Sequence, residues 1–229
     1  MKKKFAISLI VIGFVLIGSI FFLRSFFVSE EKQVFSILAN HPELVTNYEK
    51  IKELREKLKE NPQNEVGYLV SIGFEWKSLG DLTKNPYFYE KALLVYAEGV
   101  QKYGPGNIAF YWNAGKVAEA LGKYDVAEFH YREAIRISPT YYESHQNLAD
   151  LYDYKLKKSV PEVIEIYKNG LQSTSNSTDL FLGQCSFLRR RGEKLKALEC
   201  YEILVEAYPN NQGFKNVVQE LKDEISKNK

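Results

Sequence analysis

The sequence predicts an all-α protein: one apolar N-terminal helix, then a solenoid of stacked helix-turn-helix hairpins. Three observations carry this. Residues 111–139, YWNAGKVAEALGKYDVAEFHYREAIRISP, have the pattern of two short helices folded back on each other. The pattern recurs: Tyr96, Tyr131, Tyr167 and Tyr201 hold one equivalent position at spacings of 35, 36 and 34 residues. Directly after Met1-Lys2-Lys3-Lys4, the 19 residues Phe5 to Leu23 carry no charge.

Composition narrows the function classes. With 45% hydrophobic and 26% charged residues in a chain of 229, the sequence suits a folded protein rather than a disordered one. The formal net charge of +2 implies no strong attraction to a polyanion, so no nucleic-acid partner is expected.

Phe5–Leu23 (FAISLIVIGFVLIGSIFFL) is long enough, at about 1.5 Å per helical residue, to nearly span a hydrocarbon core. It ends in FFLRSFF, without the small-residue triplet of a cleavage site. Residues 1–29 therefore read as an uncleaved signal anchor, a single transmembrane helix, in preference to a cleaved leader or a buried helix. Lys2, Lys3 and Lys4 outweigh Arg24, so the N-terminus is expected in the cytoplasm and the remainder on the far side, periplasmic in a bacterium.

Residues 30–64 read as juxtamembrane helices. Glu30 to Asn40 is a short helical candidate, and His41-Pro42-Glu43 marks a break and a new start. Leu44, Tyr48, Ile51, Leu54 and Leu58 then form an apolar stripe at helical spacing, ended by Asn61-Pro62. Packing on the first hairpin is the expectation; self-association through Leu44–Leu58 is the alternative, for which the stripe is short.

In the hairpin itself, Tyr111, Ala114, Gly115, Ala118 and Leu121 share one face of the first helix. Gly115 costs roughly 1 kcal/mol relative to Ala inside a helix, which predicts close approach of a neighbouring backbone. Gly122 ends the helix in a turn. Ala127, Tyr131, Ala134 and Ile135 form the inner face of the second helix, and Pro139 closes it.

The other copies follow by position. Ala92, Ala127, Val163 and Ala197 are equivalent, as are Gly99, Ala134, Gly170 and Leu204. In the first helices Gly73, Ala149 and Cys185 match Gly115, Gly80 and Gly192 match the turn residue Gly122, and Pro209 matches Pro139. Four hairpins result, about 66–106, 108–141, 142–176 and 178–211, within a domain over 65–212. The first carries about seven extra residues within Asp81–Tyr89 and the third about two in the Lys157–Pro161 turn, both expected to alter loops. Residues 213–229, with Phe214, Val217, Val218, Leu221 and Ile225 on one face, read as a capping helix.

This pattern resembles the tetratricopeptide repeat family, whose unit is a helix-turn-helix of about 34 residues. The resemblance covers roughly Val66 to Asn211. It implies a right-handed superhelix whose first helices line a concave groove, and binding of a protein or peptide without catalysis. By repeat register the outward row is Val70, Phe74 and Lys77; Trp112, Asn113, Lys116 and Glu119; Glu143, Gln146, Asn147, Asp150 and Tyr154; and Leu182, Ser186, Arg189 and Arg190. The candidate groove residues drawn from it are Phe74, Trp112, Asn113, Lys116, Gln146, Asn147, Asp150, Tyr154, Arg189 and Arg190. Some family members hold acidic C-terminal peptides with a clamp of Lys, Asn and Arg. The matching positions here are Val70, Phe74, Asn113, Glu143 and Asn147, of which only Asn113 fits, so that specificity is not carried over.

No HExxH, P-loop, GxSxG or GxGxxG occurs, and no cofactor is expected. His130 and His145 lie on helices of adjacent repeats, but a third metal ligand is lacking, so packing or surface roles are expected. Cys185 and Cys200 fall on the two helices of the fourth hairpin. An oxidising compartment would permit a bridge, yet Cys185 points into the hairpin while Cys200 merely neighbours the inward Tyr201, so free thiols are expected. Asn176-Ser177-Thr178 is a glycosylation sequon in an expected loop. The runs Lys155–Lys158 and Arg189–Arg191 are expected as solvated turn residues near helix C-termini.

The function these features predict is a membrane-anchored scaffold or adaptor supporting assembly of an extracytoplasmic complex. The alternatives are an import or chaperone-docking receptor facing the cytosol on an organelle surface and, on His130, His145 and the Asp150/Asp153 pair alone, a metal protein or enzyme.

Overall fold

The computed structural model describes residues 30–227. The apolar segment 5–23, and with it the signal anchor, lies outside the described residues. Among the described residues no helix is long and apolar enough to cross a membrane.

The described chain is built of helices and turns. Residues 30–38 (α1) and α2 (Val45–Glu60), joined through a short 3-10 turn at Pro42–Leu44, form an antiparallel pair. Then come α3 (Glu65–Thr83) and α4 (Pro86–Tyr103), α5 (Ile108–Ala120) and α6 (Tyr124–Ile137), α7 (Tyr142–Asp150) and α8 (Val160–Ser173), and α9 (Thr178–Arg190) and α10 (Lys194–Ala207). The last helix, α11 (Gln212–Ser226), packs on α10 with Leu221 buried. Helices that pack closely are neighbours in sequence, as a solenoid requires.

The apolar core runs along the stack in two clusters, one from Val34 to Val117 and one from Ala118 to Leu221, meeting on α5. The repeated tyrosine is its regular member: Tyr96, Tyr131 and Tyr167 are fully buried or nearly so. A Cβ built on Gly115 would lie 2.6 Å from the Tyr131 ring, and one on Gly73 2.4 Å from that of Tyr96. The close approach expected at Gly115 is therefore that of a side chain, not a backbone. Each glycine is a socket for the aromatic ring of its own hairpin.

The extra residues go largely into helix rather than loop. In the first hairpin α3 runs on to Thr83 and ends in left-handed Lys84 (φ 57°). Gly80 is thus not the turn residue that alignment with Gly122 predicts. It lies inside the helix, with the Tyr89 ring 2.7 Å from where its Cβ would be. Asn85 caps α4, its Oδ1 accepting from Tyr87 N at 3.0 Å, with Pro86 in the first turn. In the third hairpin a π-helical turn, Leu151–Lys155, in which Leu156 N donates to Leu151 O at 3.0 Å, takes up part of the excess, and the connector 156–159 is one residue longer than 121–123 of the second hairpin. Gly122 and Gly192 do turn the chain with φ of 71° and 77°.

α1 and α2 make a further hairpin ahead of the four. Phe35 meets Tyr48 edge-on, Val34 and Leu38 are buried, and Glu31 pairs with Lys52 at 3.2 Å. Glu30, 7% exposed, accepts from Arg55 of α2 at 2.6 Å and Lys91 of α4 at 2.7 Å. Burial opposes its charge, but these two cations outweigh that and hold its carboxyl below the usual value. The apolar stripe of α2 is used within the chain: Tyr48 and Ile51 are buried, and Leu54 and Leu58 are packed against the same core.

Cys185 and Cys200 are joined by a disulfide, with their Cα atoms 5.4 Å apart. The expectation of free thiols is corrected, because Cys200 shares the inner stripe Ala197, Cys200, Tyr201 and Leu204, all buried.

Candidate functional site

The outward row of the first helices contains large exposed apolar side chains beside polar ones. Phe74 on α3 is 58% exposed. Trp112 on α5 is half-buried, and its indole Nε1 donates to Asn147 Oδ1 on α7 at 2.8 Å. That bond ties the second hairpin to the third. Tyr141 meets the Trp112 ring edge-on, with centroids 5.6 Å apart. From one turn further along α5, Lys116 lays its Nζ 4.3 Å from the centre of the same ring, a cation–π contact. Burial, then the nearby Lys77 charge, lowers the pKa of the Lys116 ammonium.

Two adjoining recesses result. The first, about 410 Å³, is lined by Leu54, Val70, Phe74, Trp112 and Asn113, with Lys50, Ser71 and Glu75 at its margins. Glu75 is buried and already neutralised, accepting from Asn47 at 3.1 Å and pairing with Lys50 at 2.5 Å. The second, about 220 Å³, is lined by Lys77, Lys116, Lys155, Glu119, Tyr131 and Asn147. Lys77 is paired with Asp81, and Glu119 accepts from the Tyr131 hydroxyl at 3.1 Å. Trp112 lines the first recess; Lys116 and Asn147, its two partners, line the second.

The remaining candidates divide. Asn113 turns its amide back to the Ala109 carbonyl at 2.8 Å. Gln146 donates to Asp150 at 3.0 Å and approaches the Tyr167 hydroxyl at 3.1 Å. Burial pushes the Asp150 carboxyl up. Tyr154, 47% exposed, carries the Arg190 guanidinium over its ring at 4.7 Å. Arg189 reaches Glu220 of α11 at 2.6 Å. Arg190 and Arg191 converge on buried Asp153, at 2.9 and 3.1 Å, and Arg191 also donates to the Lys158 carbonyl at 2.8 Å. The arginine run is therefore not a solvated turn, as expected from sequence, but a clamp on the π-helical turn.

Sequence reasoning missed Lys50, Leu54 and Glu75 of the first recess. α2 forms one wall of it, and nothing in the periodicity of α2 reveals which repeat position it abuts.

The histidines separate. His130 packs between Phe129 and Tyr111, whereas His145 donates its Nε2 proton to the Pro139 carbonyl at 2.9 Å and lies against Gly170. Burial lowers the pKa of both. Among the described residues no group of three or more His, Cys, Asp and Glu side chains is arranged to hold a metal. A second apolar recess, about 480 Å³, lies between α8, α9 and α10 and is lined by Val160, Pro161, Ile164, Phe181, Leu188 and Ile203. Gln184, Lys196 and Glu199 also line it.

Residues 108–141, the α5–α6 hairpin, match the family model for the tetratricopeptide repeat. The α5–α6 hairpin is a tetratricopeptide repeat, and the described chain has the fold of proteins built from such repeats. The chain is 32% identical over 92 residues, 40% of its length, to human tetratricopeptide repeat protein 7B. That match spans only 11% of the human protein. Among solved structures it resembles a tetratricopeptide repeat protein from Parabacteroides merdae, with a TM-score of 0.58 at 17% identity over 84% of this chain and 73% of that one. BtubC from P. vanneervenii gives a TM-score of 0.58 at 14% identity over 80% and 83% of the two chains. A thermophilic protein of this kind from Thermus thermophilus gives 0.54 at 18% over 80% and 94%. At such identities the likeness is one of fold.

Proposed function

We propose that this chain is a membrane-anchored tetratricopeptide-repeat adaptor that holds a segment of a partner protein in its groove, binding it without turnover. One observation carries the reading: Phe74, 58% exposed, stands beside half-buried Trp112 in a recess ringed by polar groups. Large aromatic anchors with polar rims are the surface type that docks protein segments. The anchor is residues 5–23, supported by their uncharged, mainly apolar character. Confinement to a membrane raises the effective concentration of the groove toward partners there.

The repeats are assigned to the extracytoplasmic side. The basic flank Lys2–Lys4 supports this, and so does the Cys185–Cys200 disulfide, since such bonds persist mainly in oxidising compartments. A receptor facing the cytosol would hold the same cysteines where thiols are kept reduced. A reporter fused to the C-terminus, active only outside the cytoplasm, tests the side. A photo-crosslinker introduced at Phe74 tests the groove: recovery of one specific protein from membranes is expected, and repeated failure to recover any would overturn the adaptor role.

A further inference from the structure

We propose that the groove selects a partner segment in which an apolar side chain and an acidic one are close neighbours, Phe74 and Trp112 receiving the first and Lys116 and Lys155 the second. This rests on the adaptor reading and specifies its ligand. The two recesses adjoin at Trp112 and differ in chemistry. The first is walled by Leu54, Val70, Phe74 and Trp112, and the charge at its margin is already spent in the Glu75–Lys50 pair. The second gathers three ammonium groups, Lys77, Lys116 and Lys155, against one carboxylate, Glu119. Asp81 takes the Lys77 charge. Lys116 and Lys155 form no ion pair within 4.0 Å among the described residues; the partner of Lys116 is the Trp112 ring.

A half-buried ammonium without a counter-ion is a costly arrangement in a free protein. An incoming carboxylate relieves it, and a basic side chain in the same place worsens it, so discrimination comes from repulsion as well as attraction. The Lys116 Nζ lies 4.3 Å from the centre of the Trp112 ring, so apolar and acidic groups that are close neighbours along the segment meet both recesses together. These lysines stand at register positions other than those of the family's carboxylate clamp, which here hold Val70, Phe74, Asn113, Glu143 and Asn147.

The test is selection of phage-displayed random dodecapeptides on the full chain in detergent micelles, repeated on Lys116→Glu and Phe74→Glu variants. Binding is followed by tryptophan emission: of the two tryptophans Trp76 is fully buried, so Trp112 reports the groove. Lys116→Gln supplies a neutral control, and a thermal melt verifies that each variant is folded. The wild type should enrich an apolar residue close to Asp or Glu. Lys116→Glu should weaken those peptides about tenfold and shift enrichment toward Lys and Arg. Enrichment without acidic residues, or acidic peptides indifferent to both Lys116 variants but lost with Phe74→Glu, overturns the acidic preference while leaving the groove as a binding site. Peptides untouched by all three variants, or no selected peptide at all, overturn the groove reading together with it.

Discussion

Cys185 on α9 and Cys200 on α10 are bonded across the last repeat hairpin, 15 residues apart in sequence and both buried. A bridge closing a loop of this length stabilises by about 3 kcal/mol in the chain-entropy account. Replacing both cysteines by serine, or adding a reductant, should therefore lower the unfolding midpoint of the C-terminal repeats. Urea titration with and without dithiothreitol checks it. A Cys185→Ser/Cys200→Ser chain as stable as the wild type in oxidising buffer would show that the bridge does not form.

Glu30 ties α1 to α2 and α4 through Arg55 and Lys91. Removing one partner of a buried charge cluster costs roughly 3–5 kcal/mol when burial is complete. Arg55 and Lys91 are partly exposed, at 27% and 17%, so about 2 kcal/mol is expected for Glu30→Gln. The sign with pH follows from the lowered carboxyl of Glu30. Its contribution is present above the unfolded value, 4.5, and is lost as pH falls through the lower folded value. The gap in stability between wild type and Glu30→Gln should thus be full at neutral pH and shrink on acidification below about 4.5. A gap constant down to strongly acid pH would refute the ion-pair account.

Gly115→Ala sets two effects against each other. Alanine favours the helix by about 1 kcal/mol. Its Cβ would stand 2.6 Å from the Tyr131 ring, which is fully buried and has nowhere to retreat. Overpacking of this kind costs about 1–3 kcal/mol, so the net should be destabilising by up to about 2 kcal/mol. A thermal melt of Gly115→Ala in the wild-type and Tyr131→Leu backgrounds checks it. The smaller side chain should rescue the alanine.

Gly115 and Tyr131 also show what the sequence makes legible. Their positions repeat because every hairpin solves the same packing problem, so periodicity alone locates the helices and their inner faces. What breaks the period was harder to read. Seven extra residues near Asp81 could extend a loop or a helix, and only Asn85 with Pro86, a capping pair, hints at the helix. Cys200 and Tyr201 both border the inner stripe of α10, because neighbours on a helix are only about 100° apart. Reading Tyr201 as inward did not exclude Cys200. The groove row followed from register, but its end wall on α2 and the engagement of Arg190 and Arg191 are long-range contacts, and one sequence carries no signal for them.

Asp153 is the centre of the second such contact. It sits in the π-helical turn, 5% exposed, between Arg190 and Arg191. The turn lies where the third hairpin exceeds the repeat, so this cluster keeps an irregular stretch of backbone in place. Asp153→Ala would leave two guanidinium groups facing each other without their anion. Both arginines are partly solvated, 37% and 28% exposed, so the loss should be about 2 kcal/mol rather than the full cost of a buried pair. Because Arg190 also covers the Tyr154 ring, the same change should loosen the far end of the groove. Hydrogen exchange would show it as faster exchange confined to the turn at Leu151–Lys155 and the end of α9, with α3 to α6 unaffected. Uniform loss of protection along the whole chain would instead mean that the solenoid unfolds as one unit and that Asp153 has no local role.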